Sequence, residues 1–300
     1  MRQVKTVPYI SIIIITKNDK EIETTLDNLK NIDNPYEIEI IVVDGSEPKS
    51  TLKTVKDQNP ETKWIYFDTS RYKKATYAEQ RNAGFAASKG DIIVFIDCGC
   101  QPEKKWLTEL IVTIESGSDI VASRIIPHNS STAFTIPSVS EKVHPIPESP
   151  TNGLAVRKRV FETIGGFDER FTYGEDNDFT WRARIAKFTL LRNEDAIIYH
   201  NWGGTKSEIK RAIKYGAGRS MLYKKHPYLW RQILGYDANV MFYGGFILLL
   251  PLALICPVYP IILLLPFIKN IRNHPVRIVF TNLLYGIGVV YGLFKTGYAV

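Results

Sequence analysis

The chain has 300 residues, a formal net charge of +7 and 45% hydrophobic residues, a length that suits one large or two small domains. Its three cysteines exclude a disulfide-stabilised scaffold. No Asp, Glu, Lys, Arg or His occurs from Ala238 to Ile268 or from Ile278 to Phe294. Apolar runs of about 18 residues or more are candidate membrane spans. The sequence therefore divides into a soluble part, ending near Pro227, and a membrane part that follows it.

The first apolar run, Ile10 to Ile15, is too short for a signal peptide. We therefore expect the soluble part to stay in the cytoplasm. Cys98 and Cys100 lie two residues apart, but no second Cys or His pair has the spacing of a zinc site. The two cysteines are interpreted as free thiols.

Strand and helix patterns alternate along the soluble part. Apolar runs rich in β-branched residues predict strands at 9–18, 37–46, 63–69, 91–97 and 119–126. The segments between them predict helices at 19–32, 50–58, 76–88 and 104–116. This alternation predicts an α/β fold whose mostly parallel sheet is covered by helices on both faces.

Polar residues end three of the predicted strands: Thr16, Lys17 and Asn18 the first, Asp44 the second, and Asp97 the fourth. In sheets of this kind ligands bind beyond the carboxyl ends of the strands, so these residues are expected at one site. A dinucleotide-binding dehydrogenase would need G-x-G-x-x-G after the first strand, where this chain has "TKNDK". A sugar nucleotidyltransferase would need a glycine-rich, arginine-containing loop near its N-terminus, which is absent.

Four segments carry a family resemblance: "SIIIITKN", "IIVVDGS", "RNAGFAASKGDIIVFID" and "NGLAVRKRVFETIGGFDERFTYGEDNDFTWRARIAKF". In this order, across roughly Tyr9 to Trp202, they resemble glycosyltransferase family 2. The resemblance implies a GT-A fold and an inverting enzyme that uses a nucleotide sugar, UDP-linked in our expectation. The later segment "IKRAIKYGAGRSMLYKKHPYLWRQ" and the apolar tail are similar to succinoglycan-type membrane glycosyltransferases. The expected domains are a GT-A domain (1–205), a basic amphipathic interfacial segment (206–237) and transmembrane or re-entrant helices (238–300).

The resemblance also implies roles on the donor side. Thr16 and Asn18 would line the nucleotide pocket, and Asp44 would hydrogen-bond the uracil or ribose. Arg81 and Asn82 would lie near the nucleotide and its diphosphate. Two alternatives stay open: Asp44 caps the turn in "DGS", and Arg81 and Asn82 belong to a helix surface.

Asp97 matches the first acid of the family's D-x-D metal motif, but Gly99 stands where the second acid belongs. In one interpretation Asp97 and His200 bind Mg²⁺ or Mn²⁺ together with the substrate's diphosphate and water, because such ions often take few protein carboxylates. In the other, the metal is weak or absent and Arg81 or Lys17 neutralises the leaving group. For His200, a purely structural role is an equal alternative.

In "GEDND", Glu175 and Asp176 match the family's acidic pair on the acceptor side, with Asp176 as the catalytic base. The alternative is a solvated helix start, because acids favour the first turn; Asp178 is assigned to that structural role. Transfer from a nucleotide sugar needs both the cation site and the base. A cation relieves the charge that develops on the leaving diphosphate, and a base that removes the hydroxyl proton contributes a factor of about 10²–10⁴ in rate.

The remaining expectations concern the acceptor. The segment Pro127 to Pro150 has no clear periodicity and is predicted to be a flexible flap over the pocket. Basic residues between Lys206 and Arg231 indicate contact with membrane lipids rather than nucleic acid, because an apolar run follows. The run 238–268 is interpreted as a kinked span or a re-entrant hairpin.

These features predict a membrane-bound transferase, with its catalytic domain in the cytoplasm, that adds a sugar to a polyprenyl-linked glycan. A polyprenyl-phosphate monoglycosyltransferase and an inactive membrane scaffold are the alternatives.

Overall fold

The computed structural model describes residues 7–46, 53–128, 139–201, 205–272 and 274–295. Described residues within 1–128, 136–169 and 175–201 form one compact unit, and those within 170–174 and 202–300 form a second. The first unit contains the strands β1 Tyr9–Thr16, β2 Glu37–Asp44, β3 Lys63–Tyr66, β4 Ile92–Asp97, β5 Cys100–Pro102, β6 Ile120–Pro127, β7 Val143–Pro145, β8 Leu154–Arg157 and β9 Leu190–His200. Its helices are α1 Glu21–Lys30, α2 Lys53–Gln58, α3 Tyr77–Ala87, α4 Trp106–Glu115, α5 Lys158–Ile164 and α6 Glu175–Ile185. Every strand and helix predicted from the sequence has a counterpart here.

The strands form a single mixed sheet in the order β3-β2-β1-β4-β8-β6-β9-β5, with β7 also paired to β9. The strands β3, β2, β1 and β4 are parallel, whereas β8 runs antiparallel to both β4 and β6. In the parallel part, Thr16 pairs with Asp44 and Ile15 pairs with Asp97. The register therefore brings three of the predicted site residues to one edge of the sheet, as the carboxyl ends of parallel strands require.

An aromatic cluster in the core ties α6 to β4. Phe179 of α6 packs against Phe161 and Phe167, with ring centroids 4.7 Å apart in both pairs. Phe167 in turn meets Phe95 of β4 edge to face at 5.3 Å. All four rings are buried. Buried aromatic contacts of this kind are strongly stabilising, and they hold the first turn of α6 in place relative to the end of β4.

The prediction of a flexible flap over 127–150 is wrong for part of that segment, and residues 129–138 lie outside the described residues. Val143–Pro145 forms β7, which pairs antiparallel with β9. His144 Nε2 lies 2.9 Å from Glu194 Oε1 and adds a buried contact. A three-residue strand that ends in proline is too short to show the period-two pattern that predicts strands.

The second unit is helical. It contains α7 Thr205–Lys225, α8 Trp230–Tyr236, α9 Ala238–Leu248, α10 Leu264–Lys269 and α11 Pro275–Phe294. Two short 3₁₀ turns, Leu250–Leu254 and Tyr259–Leu263, separate α9 from α10. The prolines of 238–268 thus break the run into short pieces, and the choice between a kinked span and a re-entrant hairpin stays a prediction. Among the described residues, α11 is the one helix with the length and composition to cross a membrane.

Candidate active site

A buried guanidinium connects the two predicted halves of the site. Arg81 of α3 donates from Nη1 to Glu175 Oε1 at 2.5 Å and from Nη2 to Asp97 Oδ1 at 3.0 Å. Its side chain is 6% exposed. Gly84, one turn later on α3, packs so closely that an added Cβ would lie 2.5 Å from a methyl carbon of Ile13. This glycine lets α3 lie close to β1, and the close packing places Arg81 near the edge of the sheet.

The charges in this cluster act on one another. Burial lowers the pKa of Arg81, but the carboxylates of Asp97 and Glu175 outweigh burial and raise it, so the guanidinium stays charged. Burial raises the pKa of Glu175 despite the opposing effect of Arg81. Burial, followed by the charge of Glu175, raises the pKa of Asp176 from 3.8 to about 7. Asp176 thus has the pKa of a group that can exchange a proton near neutral pH.

Asp97 retains the capacity to bind a cation. Its side chain is 27% exposed, and Arg81 contacts only Oδ1. The carboxylate of Glu21, at the start of α1, fills the space that a side chain at position 99 would take, so a Cβ on Gly99 would collide with it. An acid from another element therefore lies next to the position where the D-x-D motif has its second acid. The sequence gives no sign of this proximity, because nothing along the chain relates residue 21 to residue 99.

The residues around Asp97 and Glu21 fit a hard divalent cation only with help from the substrate. Within the described ranges, no three His, Cys, Asp or Glu side chains converge as a protein metal cage. Ions such as Mg²⁺ bind through one or two carboxylates when phosphates and water supply the other oxygens. His200 ends β9 and pairs in register with Cys100 of β5, on the strand that directly follows the Asp97 loop. Its metal-binding role stays a prediction.

The two neighbouring cysteines are free thiols. Burial raises the pKa of Cys98, with a further contribution from Asp19, and burial likewise raises the pKa of Cys100. Protonated thiols are poor metal ligands. Thr16, predicted to line the nucleotide pocket, is buried and directs its hydroxyl towards Cys98 Sγ at 3.9 Å.

Asp44 is 2% exposed, and protein groups contact both of its carboxylate oxygens. Oδ1 accepts the backbone N–H of Ser46 at 2.9 Å, and Oδ2 lies 2.7 Å from Lys56 Nζ. Lys56 also lies over the ring of Trp64. Asp44 therefore does cap the turn. A nucleoside that binds Asp44 would have to displace the Lys56 ammonium group or bind the carboxylate together with it. The sequence offered no signal for Lys56, which lies on the helix after β2.

The remaining donor-side residues are Lys17, Asn18 and Asn82. Lys17 Nζ donates to Thr69 Oγ1 at 3.1 Å, and Asn18, with φ of 54°, donates its backbone N–H to Ser46 at 2.7 Å. Asn82 instead binds the loop that leads to α6. Its amide contacts the backbone of Phe167 and the carboxylate of Glu169, each at 2.9 Å. This geometry gives Asn82 a positioning task, and its predicted contact with the diphosphate stays a prediction.

Asp178 supports the architecture of α6, as expected. It is fully buried and binds Arg182 Nε through Oδ2 at 2.7 Å. Arg182 in turn donates to the carbonyls of Ile164 and Gly166 at 2.7 and 2.6 Å. These bonds hold the turn after α5, and with it the chain that leads to Glu175.

Comparison with known proteins identifies the family. The sequence profile described as "Glycosyl transferase family 2" matches residues 11–215. The chain belongs to glycosyl transferase family 2. It is 26% identical over 229 residues to glycosyltransferase AglE of Haloferax volcanii, covering 73% of this chain and 75% of that protein.

A second relative in Methanococcus voltae is named as a dolichyl N-acetyl-α-D-glucosaminyl phosphate 3-β-D-2,3-diacetamido-2,3-dideoxy-β-D-glucuronosyltransferase. It is 26% identical over 262 residues, with 76% of this chain and 78% of that protein covered. The solved mannosyltransferase PcManGT from Pyrobaculum calidifontis, in complex with GDP-Man and Mn²⁺, superposes with a TM-score of 0.72 at 17% identity. That superposition covers 97% of this chain and 89% of that one. The predicted GT-A fold and the prediction of a glycosyltransferase are thereby confirmed.

Proposed function

We propose that this family 2 enzyme is membrane-bound and inverting, and that it transfers a sugar from a nucleotide sugar to a hydroxyl of a polyprenyl-linked glycan. The observation that carries the proposal is the bridge from Asp97 through Arg81 to Glu175, with Asp176 beside it. Asp97 lies at the sheet edge where the donor is expected to bind, and the pKa of Asp176, about 7, suits deprotonation of an acceptor hydroxyl. The lipid-linked acceptor is supported by the name of the M. voltae relative.

In this mechanism each residue has a separate task. A divalent cation, when bound, stabilises the charge on the departing nucleoside diphosphate as a Lewis acid. Asp97 and Glu21 would hold it, with His200 as a further candidate. Arg81 stays charged, holds Asp97 and Glu175 in fixed positions and adds positive charge beside the leaving group. Asp176 removes the proton from the acceptor hydroxyl as that oxygen attacks the anomeric carbon opposite the leaving group, which inverts the centre.

Product analysis tests the function. The full-length chain in detergent is incubated with a panel of labelled nucleotide sugars and polyprenyl-diphosphate-linked saccharides, and the lipid products are identified by mass and by lability to mild acid. We expect one sugar to be added through a new glycosidic bond. A product in which the sugar is joined directly to a polyprenyl phosphate would replace this proposal with a monoglycosyltransferase.

The raised pKa of Asp176 predicts a pH dependence. Only the carboxylate form can accept a proton, so kcat/KM should fall by about tenfold per pH unit below pH 7 and level off above it. A carboxyl at its ordinary 3.8 would give a flat profile through the neutral range. The profile is measured at saturating metal with a soluble acceptor analogue. A flat profile down to weakly acidic pH would contradict the assignment of Asp176 as the base.

A metal site formed jointly by the protein and the nucleotide predicts that replacing Glu21 weakens metal binding. Because the protein supplies few ligands, Mn²⁺ should bind weakly to the free enzyme and much more tightly when a nucleoside diphosphate is present. Glu21→Gln should weaken this nucleotide-dependent binding by about tenfold or more. Glu23→Gln, which removes the same charge from an exposed site on the same helix, is the matched control. Binding is followed by the electron paramagnetic resonance of free Mn²⁺, and equal affinities of the two variants would remove Glu21 from the site.

A further inference from the structure

Inside the second unit, α7 and α11 pack closely against each other. A Cβ on Gly288 of α11 would collide with the backbone of Ile213, and one on Gly292 would lie 2.9 Å from the carbonyl oxygen of Ala217. On α7, a Cβ on Gly216 would likewise collide with the backbone of α11. Glycine at these positions lets the two helix backbones touch.

Polar contacts extend the pairing to both ends of the helices. Near the start of α11, Arg277 binds the buried carboxylate of Glu208. Near its end, Lys224 Nζ donates to the carbonyls of Gly292 and Lys295 at 2.7 and 2.8 Å. Residue numbers rise together along both helices, so α7 lies beside α11 in the same direction over its whole length.

The pairing with α7 bears on whether α11 can span a bilayer. α7 carries eight charged residues: Lys206, Glu208, Lys210, Arg211, Lys214, Arg219, Lys224 and Lys225. Lys210 and Lys214 are exposed near its middle. If α11 crossed a bilayer, its partner would carry these ammonium groups into the hydrocarbon, where charge is strongly unfavourable. The composition of α11 alone predicts a span, but its partner opposes one.

The same unit nevertheless exposes far more apolar surface than water favours. Leu254 and Ile255, in the proline-broken stretch between α9 and α10, are 89% and 85% exposed. Large apolar residues are exposed along α11 as well, including Val276 and Phe294 at 70% and 75%. Helices as short as α9, with 11 residues, reach only about half-way through a bilayer core of about 30 Å. Contiguous exposed apolar surface marks an interaction site.

We propose that the second unit is monotopic: it binds the surface of an anionic bilayer, inserts the turn at Leu254 and Ile255 into one leaflet, and crosses no membrane. Exposed basic side chains supply the complementary charge for acidic headgroups: Lys210, Lys214, Lys269 and Arg272. This inference rests on the membrane attachment in the proposed function and specifies its form. Both ends of α11 then lie on the side of the membrane that holds the catalytic domain.

Labelling from one side tests the topology. Single cysteines are placed before and after α11, as Arg272→Cys and Lys295→Cys, in a full-length Cys256→Ser chain. The parent chain, which keeps Cys98 and Cys100, gives the baseline, and Lys104→Cys marks the side of the catalytic domain. A membrane-impermeant maleimide applied to sealed vesicles should label all three positions from the same side. Labelling of positions 272 and 295 from opposite sides would overturn the proposal.

Vesicle binding tests the surface itself. The purified chain should sediment with vesicles containing acidic phosphatidylglycerol at least tenfold better than with pure phosphatidylcholine. The exposed double substitution Leu254→Glu with Ile255→Glu should lower binding at least tenfold, whereas Val112→Glu, at a 53% exposed site on α4, should leave it unchanged. Undiminished binding by the double variant, or no binding by the parent, would refute this surface. Sugar transfer to a soluble acceptor analogue in detergent is measured in parallel, so failure of the proposed function is seen separately.

Discussion

Replacing Asp176 with Asn should greatly slow sugar transfer and leave nucleotide-sugar binding intact. The amide cannot accept the acceptor's proton, so kcat should fall by a factor of about 10²–10⁴, the usual contribution of a general base. The fold should tolerate the change. Asp176 Oδ1 accepts the backbone N–H of Asn177 at 2.8 Å, and an amide oxygen can accept the same bond. Because the pKa of Asp176 is about 7, its neutral form is already populated at neutral pH, and the uncharged amide resembles that form.

Three measurements separate this role from a structural one. The nucleotide-sugar Kd of the Asp176→Asn variant should match that of the parent, its thermal unfolding should be unchanged, and residual turnover should lose the inflection near pH 7. Asp178→Asn gives the opposite pattern, because its buried bond to Arg182 supports the turn after α5: stability falls first, and turnover falls only as folded protein is lost. Parental turnover by Asp176→Asn would reject the base assignment.

The edge of the sheet that holds the site is predictable from the sequence, because parallel strands place their carboxyl ends together. Thr16, Asp44 and Asp97 each end a buried apolar run, and the register confirms that they share that edge. The contacts that these residues make at the edge are not predictable from the sequence. Lys56 holds Asp44, and Glu21 fills the space beside Gly99, through side-chain packing that depends on how α1 and α2 lie on the sheet.

The unpredicted parts share a physical cause. β7 is too short to show a period, and the antiparallel insertion of β8 follows from long-range pairing that no local pattern reports. The second unit shows the same limit. The hydrophobicity of α11 predicts a membrane span. Its pairing with the charged helix α7 depends on close backbone contacts at glycines of both helices, and these contacts are known only from the structure. Local composition thus predicted the elements, and tertiary contacts decide what the elements do.

Arg81→Gln should destabilise the first unit by about 3–5 kcal/mol, because it leaves the buried carboxylate of Glu175 without its cation. Arg159→Gln is the control: it removes a 63% exposed arginine from Asp119, whose carboxylate keeps its hydrogen bonds from the backbone N–H and hydroxyl of Thr189, so it should cost no more than about 1 kcal/mol. Both are measured by urea unfolding.

The loss of stability in Arg81→Gln should also depend on pH. Arg81 lowers the pKa of Glu175 against the effect of burial, so removing Arg81 raises that pKa further. The folded variant then holds a proton that the unfolded chain has released, and its stability falls as pH rises through this range. The deficit should therefore shrink at acidic pH. Adding Glu175→Gln should restore most of the lost stability at neutral pH but not the activity, because Asp97 still lacks its partner. A pH-independent deficit, or a double variant as unstable as the single one, would show that the ion pair does not hold the two halves of the site together.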